Sequence, residues 1–349
     1  MGEVRVAIVG ATGYVGAELL RILLVHPSAR VTLLAARSGA GESISRVLPS
    51  MTGLCDLKIE AFSAALVKER ADVAFCALPH GASAETVREL RRAGVITLDM
   101  SADFRLHDLA AHKQWYGEHH APELMSEAVY GLPELHRAEI ARANLIAVPG
   151  CYPTTGILAL APLVREGLIE LQGIVVDAKS GVSGAGKSPS QSTHFSETSE
   201  GIRAYKSGGQ HRHTAEIEQE LSAIAGSEIR VTFTPHLVPM TRGILATSYA
   251  MAKGPHVTAT SCTEVARAFY AGSTSVAVLD PGLHPDTLWV RGSNRAHVAY
   301  ARDERTGRIV AMSTIDNLVK GAAGQGVQCM NLRCGLPEAM GLGASGMSP

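Results

Sequence analysis

Residues 4–16, VRVAIVGATGYVG, constrain the fold of this chain more than any other stretch. The first six read as a strand of the kind buried on both faces of a sheet. Gly10-Ala11-Thr12-Gly13-Tyr14-Val15-Gly16 follows as a turn, and residues 14–25 then carry apolar side chains at helical spacing until Pro27. A strand, a glycine turn and a helix in direct succession commit the chain to a βαβ unit and therefore to a parallel sheet. Glycines at 10, 13 and 16 allow a tight turn, close approach of the backbone to a pyrophosphate, and close helix–strand packing. A plain strand-to-helix turn can use the same residues. The position of this one, at the opening of a βαβ unit, favours a dinucleotide site.

The alternation continues. Residues 30–36, 73–78, 95–100 and 144–148 read as further strands, with a helix over 83–93. This is the pattern of a doubly wound parallel sheet of the Rossmann type. Beyond about residue 170 the character changes. Strand-like segments at 173–179, 230–236, 244–251, 297–302 and 309–315 are separated by fewer helices, which predicts an α+β domain with a mixed or antiparallel sheet. Helices are expected over 152–166, 261–271 and 317–333, loops over 180–192 and 206–209, and a C-terminal tail, 341–349, that frays or wraps the surface. At 349 residues two domains are expected: 1–150 for the dinucleotide, completed by the helix at about 317–335, and 151–316 for catalysis and oligomerisation.

The end of the second strand speaks to which dinucleotide. An NAD site usually places an acid there for the ribose 2′-hydroxyl, but this chain reads Ala35-Ala36-Arg37-Ser38. Arg37 can pair with a 2′-phosphate in fork geometry and Ser38 can donate a hydrogen bond, so NADP(H) is expected over NAD(H).

Several function classes are excluded by what the chain lacks. Its 32 basic and 33 acidic residues are interspersed, which leaves no basic field for nucleic acid and no polybasic membrane surface. No apolar run approaches the ~20 residues needed to cross a bilayer. The N-terminus enters a strand at once without the layout of a signal peptide, and Val6 stands where a myristoylation signal has Ser or Thr. Six cysteines show no C-x-x-C pair and no metal-ligand spacing, which points to reduced thiols, a cytoplasmic location and no metal.

One of those cysteines stands apart. Cys151 follows a Pro149-Gly150 turn and precedes a helix-like run that Pro153 opens. Unpaired N–H groups and the positive dipole end at a helix mouth favour an anion, so a thiol there loses its proton more readily than the ~8.5 of ordinary cysteine. A small buried residue is the alternative reading. His211 and His213 straddle Arg212 at another helix entrance near Thr214, and either imidazole can serve a distant thiolate as acid/base. Ser180-Gly181-Val182-Ser183-Gly184-Ala185-Gly186-Lys187 precedes no clear helix; it reads either as a mobile loop over nicotinamide or substrate or as a plain connector.

Taken together these residues resemble the N-acetyl-gamma-glutamyl-phosphate reductase family, within the superfamily that includes aspartate-semialdehyde dehydrogenase. The resemblance runs over nearly the whole chain. It rests on GATGYVGAELLR at 10–21, LPHGAS at 78–83, DMSADFRL at 99–106, VYGLPEL at 129–135 and VPGCYPTT at 148–155. KSGVSGAGK at 179–187, YKSGGQHRHTAEIEQ at 205–219, PHLVPMTRGIL at 235–245 and DNLVKGAAGQGVQ at 316–328 complete it. The cysteine box joined to the HRHTAEIEQ box is the most specific pairing. The departures are Gly326, where a small side chain is more usual, and the tail GLGASGMSP, less apolar than the family's ending.

The resemblance implies Cys151 as nucleophile and a histidine of the HRH box as acid/base, with His211 favoured and His213 as the alternative or a phosphate contact. It implies substrate contacts at Arg105, Tyr205 and Arg242, with the two arginines binding carboxylate or phosphate. Cofactor contacts are implied at Gly10, Thr12, Gly13, Tyr14, Val15, Gly16, Arg37, Ser38, Ser180, Gly181, Ser183, Gly184 and Asn317, with Lys320 and Gln325 nearby. The activity implied is NADPH-dependent reduction of N-acetyl-glutamyl 5-phosphate to its semialdehyde in arginine biosynthesis, through a Cys151 thioester, by a homotetramer or homodimer. The same chemistry on an aminoadipyl or aspartyl phosphate, a cofactor-free cysteine hydrolase and a non-catalytic NADP sensor are the competing readings.

Overall fold

A computed structural model describes residues 2–36 and 40–347, in two compact units: Met1–Pro149 with Ala322–Gly343, and Gly150–Gly321 with Ala344–Pro349. In the first unit β1 (Val4–Val9), β2 (Ala29–Ala35), β3 (Ile59–Glu60), β4 (Val73–Cys76), β5 (Ile96–Asp99), β6 (Ala128–Tyr130) and β7 (Leu145–Ala147) form one sheet in the order β3-β2-β1-β4-β5-β7-β6. Every pairing in it is parallel. β1 is an interior strand, and Val6, Ala7 and Ile8 are sealed from solvent. The strand order reverses beside it, β2 on one side and β4 on the other, which opens a crevice at the carboxyl ends of these strands.

The sheet of the second unit is mixed, as the longer strand signals predict. It comprises β8 (Ile174–Gly181), β9 (Arg203–Ala204), β10 (Val231–Val238), β11 (Ile244–Met251), β12 (Val276–Val278), β13 (Ala296–Asp303) and β14 (Arg308–Ile315), in the order β12-β13-β14-β11-β8-β10-β9. β8 pairs antiparallel with β11 and parallel with β10. Ile174, Val176 and Ala178 point to the buried face of β8, and the intervening Val175, Asp177 and Lys179 are half-exposed on the other.

The helix Cys151–Arg165 runs through the core of this unit, and every residue from Tyr152 to Val164 is buried. Pro162 lies inside it and has no N–H to give the carbonyl four residues earlier. The Tyr270 hydroxyl donates to that carbonyl, Leu158 O, at 2.7 Å, and Tyr300 donates to Ala159 O at 3.0 Å. The helix thus tolerates its proline because two buried phenols satisfy the backbone around it.

Two expectations change, and a third is narrowed. The helix foreseen over 317–333 begins as a π-helical turn, Val319–Ala323, and becomes α-helical only over Gly324–Arg333. Asp316 accepts the N–H groups of Leu318 and Val319 at 2.8 and 3.0 Å and so sets the entry of the turn. Four strands, β3, β6, β9 and β12, were not foreseen, since two or three residues are too few to show a period. Of the tail's two expected outcomes the structure shows the second: the described tail lies against the 289–292 turn, where Met347 N–H donates to Arg291 O at 2.8 Å. Gly326 also finds a reason: a Cβ there would sit 3.2 Å from both the Met100 sulfur and Phe75.

Candidate functional site

Cys151 is the first residue of its helix, and Gly150 is the N-cap in extended conformation, φ −68° and ψ 152°. Thr154 N–H is the first amide to bond within the helix, to Gly150 O at 3.0 Å, and Pro153 has no N–H. Cys151 and Tyr152 thus lie at the positive end of the helix dipole, which favours an anion there. The opposite side of Cys151 is walled by the π-helical turn. A Cβ on Gly321 would fall 2.7 Å from Cys151 Cβ, so glycine is required for the turn to lie this close.

The two histidines occupy different environments. The ring of His213 lies directly on Gly150: a Cβ at Gly150 would come 2.6 Å from its Nε2 and 2.8 Å from its Cε1. Glu216, one helical turn on and fully buried, faces His213 Nε2 at 3.9 Å with Oε1 and accepts Gly150 N–H at 3.0 Å with Oε2. One carboxylate thus anchors the backbone before Cys151 and faces the imidazole above it.

His211 sits instead among rings, with centroids of Phe233 at 5.2 Å, Tyr205 at 5.5 Å and Tyr152 at 5.6 Å. Burial pushes its pKa down to about 4, and the charges of Lys206 and Arg212 push the same way. Its Nδ1 accepts the His213 N–H at 3.1 Å, capping the helix His213–Ala225. These surroundings favour the neutral imidazole.

Tyr205 donates its hydroxyl to Tyr152 Oη at 3.2 Å, and Tyr152 donates onward to His236 O at 3.0 Å. Burial raises both phenols, Tyr205 to about 12, and negative charge on Cys151 opposes their ionisation further. They remain neutral donors beside the thiol.

The glycine-rich loop is neither long nor loose at its start. Ser180 and Gly181 close β8, and Val182–Ala185 is a 3-10 turn. Gly181, Val182 and Ser183 donate their N–H groups to Gly243, Met240 and Thr241 carbonyls at 2.9, 2.9 and 3.1 Å. Asn317 braces the arrangement, donating from Nδ2 to Ser183 Oγ at 2.9 Å and accepting Gly243 N–H at 2.8 Å. Gly184 approaches this pair, since a Cβ there would lie 3.1 Å from Ser180 Oγ and 3.6 Å from Asn317 Nδ2. Arg242, a quarter exposed, stands 3.5 Å from the buried carboxylate of Asp316.

In the first unit Gly10 adopts φ +91°, and a Cβ there would strike Ala77 O at 2.3 Å, so the turn admits only glycine. Gly13 is the N-cap of the helix Tyr14–Leu23, whose first turn carries no acid. A Cβ on Gly13 would meet nothing nearer than Gly10 O at 3.7 Å, so this helix mouth is open on that side. A helix mouth with no acid in its first turn and open space at its glycine N-cap fits a pyrophosphate. Arg105 is buried, with Nε donating to Val148 O at 2.7 Å and Nη2 to Met100 O at 3.0 Å. It ties the ends of β5 and β7 together. Arg37 and Ser38 lie outside the described residues.

Sequence reasoning did not single out Gly150, Glu216, Asp316 or Gly321. For Glu216 a signal existed: it lies three residues after His213, on the same face of a helix. The others act through contacts that no local pattern records.

Residues 5–143 match the family model of the semialdehyde dehydrogenase NAD binding domain, and residues 151–317 that of the semialdehyde dehydrogenase dimerisation domain. N-acetyl-gamma-glutamyl-phosphate reductase of Geobacter sp. (strain M21) is 52% identical over 97% of this chain and 97% of its own length. The enzyme of the same name from Pelotomaculum thermopropionicum is 50% identical over 99% of both chains. Among solved structures, aspartate semialdehyde dehydrogenase II from Vibrio cholerae, complexed with ASA, superposes with TM-score 0.73 at 19% identity, covering 95% of this chain and 98% of that one. Aspartate semialdehyde dehydrogenase with NADP from Candida albicans gives 0.71 at 17%, with the same coverage.

Proposed function

The chain belongs to the N-acetyl-gamma-glutamyl-phosphate reductase family, and from that premise we propose how its own residues carry the reaction. The reaction is the NADPH-dependent reductive dephosphorylation of N-acetyl-L-glutamyl 5-phosphate to N-acetyl-L-glutamate 5-semialdehyde, a step of arginine biosynthesis. The glycine turn at 10–16 receives the pyrophosphate, and Arg37 with Ser38 selects the 2′-phosphate form.

Cys151 gives up its proton and attacks the acyl carbonyl carbon, with negative charge collecting on the carbonyl oxygen. The N-terminal end of the Cys151–Arg165 helix favours that charge, as pre-organised dipoles aimed at an oxyanion do. When the oxyanion collapses, phosphate leaves with the bonding pair and a Cys151 thioester remains. The bound dinucleotide supplies the hydride that reduces this thioester. His213 delivers a proton to the oxygen of the resulting thiohemiacetal and withdraws it again as the C–S bond breaks and the thiolate departs.

The observation that carries this reading is the His213 ring resting on Gly150 with Glu216 holding both. His213, rather than His211, is thereby the acid/base. His211 supports it by capping its helix, and Glu216 is a positioning residue. Arg242 anchors an anionic group of the substrate, and Asn317 holds Ser183 and Gly184 in place for the cofactor. Arg105 acts by bracing the strand ends, with substrate binding secondary to that. The test is His213→Asn against His211→Asn, assayed as phosphate-dependent NADP+ reduction with the semialdehyde. A larger kcat loss in the His211 variant overturns the assignment, and kinetic comparison with aspartyl and aminoadipyl phosphates checks the substrate.

Helices cover one face of the mixed sheet, while Leu245, Thr247 and Tyr249 of β11 join Asp177 and Lys179 on a half-exposed face. Since the dimerisation model spans this unit, that face is our choice for the subunit contact, doubled into a homotetramer. Among the described residues no helix is long and apolar enough to cross a membrane. A catalytic thiolate calls for reducing surroundings, which places the reaction in the cytoplasm.

A further inference from the structure

The crevice beside β1 is bordered by the glycine turn and also by the loop 77–82 that leaves β4. Ala77 N–H donates to Val9 O at 2.7 Å. A Cβ on Gly10 would strike Ala77 O at 2.3 Å and come 3.3 Å from Leu78 Cδ2, so loop and turn meet directly. Beyond this contact the loop opens to solvent, with Pro79, His80 and Gly81 exposed.

What fastens the loop lies beneath it. The helix Ser83–Arg92 that follows has Ala82 as its N-cap and no side-chain cap there. The cap comes instead from Asp103, 22 residues beyond Gly81 and in the loop after β5. Asp103 Oδ1 accepts Gly81 N–H at 2.8 Å, and Oδ2 accepts Ala84 N–H at 3.0 Å. A further bond joins the same two loops, from Ala102 N–H to His80 Nδ1 at 3.2 Å. Asp103 is itself held, since its N–H donates to Ser101 Oγ at 3.1 Å and Ser101 Oγ donates to Asp99 Oδ2 at 2.7 Å. Asp99 Oδ1 accepts the Ser83 hydroxyl at 2.6 Å, which closes the circuit at the helix start. Asp99, Asp103, Ser83 and Ser101 are all buried. A helix is capped most simply by Ser, Asp or Asn at its own N-cap. Burying two carboxyl groups costs desolvation, and what this arrangement gains is a fixed relation between the loops after β4 and β5.

We propose that Asp103 is a positioning residue for the dinucleotide, holding the loop 77–82 alongside the glycine turn in the shape that receives the cofactor. The proposal rests on the reading of the 10–16 turn as the cofactor site. Without Asp103 the loop must be ordered as the cofactor binds, and that entropy is subtracted from affinity. The groups of the second unit keep their places, so the loss falls on cofactor binding rather than on turnover.

The test compares full-length Asp103→Ala, Asp103→Asn, Ile140→Ala and Gly13→Val, titrated with NADPH by fluorescence and assayed with semialdehyde, phosphate and NADP+. Ile140 is buried in another helix of this unit, Pro133–Ile140, and its truncation measures a purely structural loss. Asp103→Ala should raise the NADPH Kd at least about tenfold and the KM for NADP+ alike, with kcat and the semialdehyde KM within about threefold. Ile140→Ala should lower the thermal midpoint yet keep the NADPH Kd within about twofold. Amide exchange in the cofactor-free enzyme should quicken at 81–84 in Asp103→Ala and not in Ile140→Ala. Asp103→Asn, isosteric but with one acceptor for two amides, should fall between parent and alanine, and it decides the matter if the alanine variant does not fold. A Kd at the parent's value in the Asp103 variants, or one that moves no further than in Ile140→Ala, overturns the clamp alone. Gly13→Val fills the open helix mouth, and unchanged NADPH affinity there overturns the cofactor-site reading and the clamp with it.

Discussion

The imidazole of His213 rests on Gly150, with room for a hydrogen but not for a methyl: a Cβ would come 2.6 Å from Nε2. The two residues are far apart in sequence, yet this contact sets the imidazole over the residue that precedes Cys151. On the mechanism proposed above, this makes Gly150 part of the geometry without any chemistry of its own.

Gly150→Ala is therefore a sharp probe. At φ −68° and ψ 152° alanine fits the backbone, so the substitution should fold and bind NADPH as the parent does. The added methyl displaces His213, and a shift of about 1 Å in a reacting group costs up to about 100-fold in kcat. Steady-state kinetics beside a thermal melt measure both; unimpaired turnover would remove His213 from the mechanism.

Cys151→Ser should retain NADPH binding by fluorescence and lose phosphate-dependent NADP+ reduction by at least about 10⁴-fold, because a hydroxyl is not ionised at a helix mouth. Trapping a radiolabelled acyl group on the parent enzyme, and not on the variant, checks the thioester directly.

Glu216→Gln keeps an acceptor for Gly150 N–H but removes the charge facing His213. We expect a kcat loss of about tenfold with a KM near that of the parent, and a displaced pH–rate limb. Glu216→Ala, which leaves the Gly150 amide without its acceptor, should in addition cost about 1–3 kcal/mol of stability by urea titration.

The acid limb of stability should report on His211. Its pKa in the fold is about 4 against an ordinary 6.5, so between these values the unfolded chain binds the proton and the folded chain does not. Stability thus falls as pH drops from about 6.5 towards 4 and is recovered above. His211→Phe, which keeps a ring against Tyr152, Tyr205 and Phe233, should flatten that fall while leaving most of kcat intact. Urea midpoints at pH 7 and pH 4.5 decide it.

Much of this molecule was legible locally. The VRVAIV strand, its glycine turn and the following helix are contiguous, so the βαβ unit and its open helix mouth follow from thirteen or so neighbouring residues. The same holds for Cys151, whose place at a helix start is written in Pro149, Gly150 and Pro153. What distinguishes the surroundings of His211 from those of His213 was not legible. Both belong to one tripeptide, and what separates them is burial by Tyr152, Tyr205 and Phe233 on one side and contact with Gly150 and Glu216 on the other.

Residue type and spacing by themselves determined the parallel sheet of the first unit, the mixed sheet of the second, the place of Cys151 at a helix start and the cofactor class, because each depends on backbone conformation and chemistry over a few residues. Only the tertiary structure decided how those groups are held. It set Asp316 between Gly292 and Arg242, turned the start of the last helix into a π-turn that lets Gly321 pass Cys151, and laid the tail on Trp289. Each of these is a close approach between distant segments, and such contacts are settled by packing, which no local pattern encodes.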